Sequence, residues 1–288
     1  MKVHLDCYPC FVRQALTTAR LFSTDEASVR RIVAAACRKL GSLPEGGAPP
    51  EISREIYRTI RRISGVADPY RDLKRRSIEQ ARRLLPGLRR LIEGSANPLL
   101  AAARISVAGN VIDFGVDADF DLEKEVESVV SRPFGIDDSP GFLEAVRTAR
   151  KILYVGDNAG ESVLDRLLIE RLNRPVTYAV RESPIINDVT REEARESGLS
   201  GIARIISCGT AAPGAVLARA SKAFLRAWKE ADLIISKGQG NYECLSEEPR
   251  PIFFLLKAKC TVIAGHLGVR LGDFIIARAG RTRNPPGK

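Results

Sequence analysis

Apolar positions in the first third of the chain recur at helical spacing. Phe11, Ala15, Thr18, Ala19 and Phe22 fall on one stripe, the 3.6-residue repeat of a helix with one buried face. Asp25 and Glu26 open a second segment, where Val29, Ile32, Val33, Ala36 and Leu40 repeat the spacing. Gly41, Pro44, Gly46, Gly47, Pro49 and Pro50 then mark a turn-rich loop. Residues 53–63 and 73–85 predict two more helices, with Pro69 and Pro86 as punctuation. No strand pattern appears in this portion. Residues 98–112 predict a closely packed helix of small side chains, among them Ala101, Ala102, Ala103 and Ala108.

From residue 151 the pattern changes. Short apolar runs at 151–155, 176–180, 204–206, 232–236, 261–264 and 274–277 read as strands. Helical stretches at 162–172, 191–197 and 221–230 lie between them, and 251–257 is apolar and either helical or extended. Strands alternating with helices predict an α/β fold with a parallel sheet covered on both faces. The expected organisation is a helical domain over residues 1–95 and an α/β domain over 96–288.

Composition adds one unusual quantity. Hydrophobic residues make up 44% and charged residues 28% of the 288, near ordinary globular values, which excludes wholesale disorder and a small disulfide scaffold. The formal net charge, however, is +10. Residues 1–93 carry +9 of it and residues 94–288 only +1. The arginine pairs 61–62, 75–76, 82–83 and 89–90 are interleaved with Leu and Ile. They fit solvated helix faces or a phosphate-facing surface; no aromatic interleaving suited to stacking bases accompanies them. No apolar stretch reaches the ~20 residues of a membrane helix and no apolar core follows Lys2, so a cytoplasmic protein is expected.

The strand ends carry the chemistry. In open α/β sheets ligands bind beyond the carboxyl ends of the strands. The first strand runs into Gly156-Asp157-Asn158-Ala159-Gly160-Glu161: oxygen-bearing side chains, small residues that admit a ligand, and a helix start that attracts anions. Asn187 and Asp188 follow the second strand, with Asp188 or Thr190 as candidate cap of the next helix. Together with Asp157 and Asn158 they form an oxygen-rich set suited to magnesium or manganese. Lys237-Gly238-Gln239-Gly240-Asn241 follows a third strand and offers a cation beside bare amides. It has neither the order of a Walker A loop nor that of a dinucleotide fingerprint. Asn110 and Asp113 lie three apart at the end of the small-residue helix, as a structural hub or part of the site. Cys7-Tyr-Pro-Cys10 is a CxxC that suits a local disulfide, buried thiols, half a metal site or a redox pair. His4 and His266 are the only histidines, and no nucleophile elbow is present.

Four of these motifs, in order, carry a resemblance: Gly109-Asn-Val-Ile-Asp-Phe114, Gly156 to Glu161, Pro184-Ile-Ile-Asn-Asp188 and Lys237 to Asn241. The chain resembles the damage-control phosphatase family, and its opening Asp6-Cys7-Tyr-Pro-Cys10 is similar to that of the prokaryotic subfamily with an N-terminal CxxC. The resemblance covers essentially the whole chain. It implies helices on a Rossmann-like three-layer α/β/α sandwich, and a divalent-metal-dependent phosphatase acting on small phosphorylated metabolites, such as sugar phosphates or nucleotides. It implies Asp157, Asn158 and Asp188 as ligands of Mn, Mg, Co or Ni. It places Glu161, Gly160 and Lys237 at the phosphate, with Asn110 and Asn241 nearby. Of these, Asp157, Asn158, Asp188 and Lys237 would carry catalysis. The nucleophile is then water or a carboxylate, Asp157 first among them. Two rivals compete with this reading. One is an S-adenosylmethionine-dependent carboxyl methyltransferase, for which no glycine-rich cofactor loop is evident. The other is a nucleic-acid-binding protein using the basic helices, whose affinity would fall steeply with salt.

Overall fold

The structure, a computed structural model, describes residues 1–42, 46–109 and 132–280. Five helices come first: α1 (Cys7–Arg20), α2 (Glu26–Gly41), α3 (Pro49–Ser64), α4 (Arg71–Glu93) and α5 (Pro98–Ala108). Asp25 caps α2, its carboxylate accepting from Ala27 N at 3.2 Å and Ser28 N at 3.0 Å, which satisfies two amides that the helix itself leaves unbonded. Asn97 does the same for α5 through Leu100 N at 3.0 Å.

The remainder alternates: β1 (Ile136–Asp137), α6 (Ser139–Thr148), β2 (Ile152–Val155), α7 (Ala159–Leu172), β3 (Val176–Val180), α8 (Arg191–Glu196), β4 (Arg204–Ser207), α9 (Lys222–Glu230), β5 (Leu233–Lys237), α10 (Gln239–Leu245), β6 (Ile252–Lys257), α11 (Thr261–Leu267) and β7 (Phe274–Arg278). The strands form one seven-stranded sheet in the order β1-β7-β6-β5-β2-β3-β4. Pairing is parallel except between β6 and β7. Lys257 pairs with Phe274, so the chain re-enters the sheet at the end where β6 left it. The short α11 never carries it back across.

Two differences from the sequence reading have physical causes. Residues 261–264 are not a strand but open α11, which ends at Gly268 with φ 68; a short apolar run has no period that separates strand from helix. Pro86 does not end a helix but sits inside α4. Ile78 and Ala81 before it, and Leu88 and Ile92 after it, are all buried in the core that includes α7, and this packing outweighs the hydrogen bond that proline lacks. Residues 251–257, open between two states, supply β6.

The core lies in three parts. One face of the sheet packs with α4, α5, α6 and α7, and the other with α9, α10 and α11. The helices α1 to α3 form the third around Phe11, Ile32, Ile56 and Ile60, and this core also takes in Ile185 from beyond β3. That contact brings the N-terminal helices to the carboxyl end of the sheet. No helix among the described residues is long and apolar enough to cross a membrane.

Candidate functional site at the carboxyl end of the sheet

The strands β2 and β5 are neighbours at the centre. The chain leaves β2 for β3 and β4 on one side and returns to β5 on the other. Their carboxyl ends thus frame the point where strand order reverses, the usual crevice for a ligand. Residues 157–159 leave β2 beside residues 187–189, which follow β3. Asn158 and Asp188 form an antiparallel bridge. Val189 N donates to Asp157 O and Ala159 N to Asn187 O, both at 2.8 Å. These backbone bonds bring Asp157, Asn158 and Asp188 to one wall of a cavity of about 310 Å³. The opposite wall comes from α1 and α3, with Cys10, Phe11, Gln14 and Pro50.

The loop that carries Asp188 is held under tension. Ile186 has φ 44, a left-handed conformation that β-branched residues rarely adopt and that stores on the order of 1–3 kcal/mol. Arg61 of α3 holds the loop by donating from Nη2 to Pro184 O at 2.6 Å.

Both carboxylates are buried, Asp157 to 8% exposure and Asp188 to 2%. Burial, and after it the charge of Asp188, pushes the Asp157 carboxyl up to about 6. Burial also raises Asp188, against the pull of Arg181. Arg181, fully buried directly after β3, donates from Nε to Asp188 Oδ2 at 2.6 Å and from Nη1 to Asn241 Oδ1 at 3.1 Å. Its Nη2 has no hydrogen-bond partner among the described residues and lies 3.7 Å from Asp157 Oδ1.

Behind this wall sits a second buried network. Lys237 Nζ, with no exposed surface, donates to Ser106 O at 2.8 Å, to Asp165 Oδ1 at 2.9 Å and to Glu161 Oε1. Asp165 also accepts from Tyr154 OH at 2.7 Å, Tyr178 OH at 2.9 Å and Ser106 Oγ at 2.8 Å. Burial disfavours the ammonium, but Asp165 and Glu161 more than offset it, and the Lys237 pKa rises. Burial pushes Glu161 up to about 7 despite Lys237. Asn241 ties the strand ends together, its Nδ2 donating to Gly156 O at 3.0 Å and Lys237 O at 2.8 Å.

The predicted site residues therefore divide. Asp157, Asn158 and Asp188 line the cavity. Lys237, Glu161, Gly160 and Asn241 are buried behind it. Asn110 and Asp113 lie outside the described residues. Asn158 precedes α7 as its N-cap, and Thr190, not Asp188, precedes α8. Thr190 N donates to Glu193 Oε2 at 2.8 Å, the reciprocal half of a capping box. Cys7 and Cys10 are free thiols on the first turn of α1, face the cavity, and are raised chiefly by burial. Among the described residues no three His, Cys, Asp or Glu side chains converge as metal ligands; the acidic wall offers two carboxylates and an amide.

Several participants escaped the sequence reading. Arg181 follows an apolar strand directly, and Asp165 stands four residues after Glu161, on the same helical face. Both positions were legible signals. Lys259 follows β6, is exposed, lines the cavity and acts on the charge of Asp157; the strand-end rule applied to β6 would have found it. The positive charge of the helices is partly used internally. Lys74 pairs with Asp68 at 2.6 Å and Glu193 at 2.5 Å, and Arg89 with Glu170 at 2.8 Å.

Gly238 makes a testable contact. Its φ is +76, and a Cβ there would overlap the Asp157 carboxylate. Gly238→Ala should displace Asp157 and weaken Mn²⁺ binding by roughly 10–100-fold, the range seen when a ligand loses its orienting contacts; titration calorimetry reads this directly.

Comparison with known proteins finds similar chains over nearly the whole length. Residues 3–275 match the family model described as damage-control phosphatase ARMT1-like domain. A damage-control phosphatase of Pyrococcus horikoshii is 37% identical over 285 residues, covering 96% of this chain and 98% of the relative. One from Archaeoglobus fulgidus is 34% identical over 285 residues, with coverage of 96% and 98%. The crystal structure of a DUF89 family protein from Pyrococcus horikoshii superposes with a TM-score of 0.91 at 36% identity, covering 96% of this chain and 99% of that one.

Proposed function

Because this chain belongs to the damage-control phosphatase ARMT1-like domain family, we propose that it hydrolyses the phosphomonoester of a small metabolite in the cavity beneath α1. A divalent cation would be held by Asp157, Asn158 and Asp188. The observation that carries this reading is the pair of buried carboxylates on one cavity wall at the switch point. Among the described residues four acids are paired here, Asp157, Asp188, Glu161 and Asp165, with two cations, Arg181 and Lys237. With all six ionised the cluster is two charges short of neutral, which one divalent ion supplies. Carboxylate and amide oxygens are also the donors that magnesium and manganese prefer.

When bound, the cation would act as a Lewis acid on a phosphoryl oxygen and lower the pKa of a water. The chain's own residues do the rest. Lys259, exposed on the cavity, provides the ammonium for the remaining phosphoryl oxygens. Arg181 holds Asp188 in place and keeps Nη2 directed at Asp157. Lys237 neutralises Glu161 and Asp165 from behind, which fixes the first turns of α7, and Asn241 holds the ends of β2 and β5 in register.

Phosphate release from a panel of phosphorylated metabolites with Mn²⁺, Mg²⁺, Co²⁺ and Ni²⁺ tests the reading. Turnover should need the cation and stop with chelator. Absence of cation-dependent release, with calorimetric binding of S-adenosylmethionine instead, would replace it with methyl transfer.

The raised Asp157 carboxyl gives a pH dependence. Below about 6 Asp157 holds a proton, and the cation must displace it. Mn²⁺ affinity is therefore expected to be full near pH 7.5 and to weaken by up to about tenfold per unit as pH falls below about 6. Affinity unchanged at pH 5 would remove Asp157 from the ligand set.

A further inference from the structure

Among the described residues two carboxyls on the cavity are used by neither the cation set nor the buried lysine network: Asp6, exposed beside His4, and the more buried Glu243. Glu243 lies on α10 and lines the wall along with Asp157 and Lys259. Its helix is anchored two residues earlier, where Asn241 bonds Gly156 O and Lys237 O. Glu243 Oε1 accepts from Gln239 Nε2 at 3.1 Å, and the Met1 ammonium is bonded to the Glu243 backbone carbonyl at 2.7 Å. Gln239 thus holds the carboxyl and Met1 the backbone of the same residue.

Hydrolysis of a phosphomonoester releases an alcohol, whose oxygen must gain a proton as its bond to phosphorus breaks. The residues assigned above serve the phosphoryl oxygens and the entering water, and none serves the leaving oxygen. No histidine is among the described residues lining the cavity. His266 is bonded to Tyr242 OH.

We propose that Glu243 is a catalytic residue of this site, the acid that protonates the leaving oxygen. The P–O bond to the alcohol breaks with its electron pair on oxygen, which takes the carboxyl proton and departs as the alcohol. Water forms the new P–O bond; one of its protons stays with the phosphate and the other restores the carboxyl. The surroundings suit the task. The titratable groups acting on Glu243 are the Met1 ammonium, Asp157, Cys7, Cys10 and Cys244. Burial outweighs the help of Gln239 and the ammonium and pushes Glu243 up to about 7, near the operating pH, where an acid catalyst is most effective.

The inference rests on the hydrolase reading, and the test separates the two. With Mn²⁺ present, wild type, Glu243→Gln and Glu243→Asp are compared on 2,4-dinitrophenyl, p-nitrophenyl and phenyl phosphate. Poor leaving groups need the acid and good ones need it less. Glu243→Gln should lose ~100-fold in kcat on phenyl phosphate and at least about tenfold less than that on the dinitrophenyl ester. Glu243→Asp, still an acid, should fall between wild type and Gln on phenyl phosphate. An equal loss across the series, or no loss, overturns the role of Glu243. So does an Asp variant as slow as Gln. A wild type that releases phosphate from none of the three overturns the hydrolase reading beneath it.

Discussion

Asp157→Asn should abolish cation-dependent phosphate release, by roughly 1,000-fold or more, while leaving the fold intact or firmer. The activity side follows from the ligand set. The substitution removes one of the two carboxylates proposed to hold the cation, and the several kcal/mol that a bound cation contributes to transition-state charge are lost, each 1.36 kcal/mol being about tenfold in rate. The stability side has the opposite sign. The Asp157 carboxyl is raised from 3.8 to about 6 in the folded chain. The folded state then binds its proton more tightly than the unfolded state, and stability from this group declines as pH rises through that interval. At pH 7 the ionised carboxylate costs the cation-free protein free energy, and asparagine removes that cost at nearly the same volume. Phosphate assays and thermal melts of the chelated proteins read the two effects. A variant with normal turnover, or one that simply unfolds, would contradict the assignment.

Lys237→Met is expected to act the other way, as a stability defect first. The ammonium is fully buried and bonded to Glu161, Asp165 and Ser106. Breaking a buried pair by removing one partner typically costs about 3–5 kcal/mol, because the remaining charge is uncompensated. At about 2–4 °C per kcal/mol for a domain of this size class, the melting temperature should drop by roughly 6–20 °C. Lowering the pH should recover part of this loss, since Glu161, raised to about 7 by burial, then accepts a proton and no longer needs the lysine. If Lys237 instead served mainly as a contact for phosphate, Lys237→Met would melt normally and fail in turnover alone.

How much of this was legible beforehand depended on the kind of signal. The strand ends at Asp157, Asp188 and Lys237 were visible because polar residues interrupt apolar runs abruptly. The grouping of Asp157, Asn158 and Asp188 followed from the strand-end rule, but the place of Lys237 beside them came only from the family resemblance, since it depends on strand order: β5 lies beside β2 despite the two strands between them in sequence. Burial was equally hidden. Lys237 looks like any lysine before a glycine turn, and only packing shows that Tyr154, Tyr178 and Ser106 complete its acidic pocket. The cavity wall opposite the acids comes from α1, whose apolar stripe was readable but whose docking was not. The strand β1 has two residues, too short for any periodicity to register.

The grip of Arg61 on Pro184 O, and the insertion of Ile185 into the core of α1 to α3, make the loop before Asp188 common property of two parts of the chain. Free energy gained by a ligand at Asp188 is therefore shared with the order of the N-terminal helices, and the exchange is reciprocal. A cavity cut into that core, tens of atoms from any ligand, would surface in a titration as weaker cation binding. Conversely, cation binding would slow amide hydrogen exchange in α3, a helix that contributes no donor to the ion.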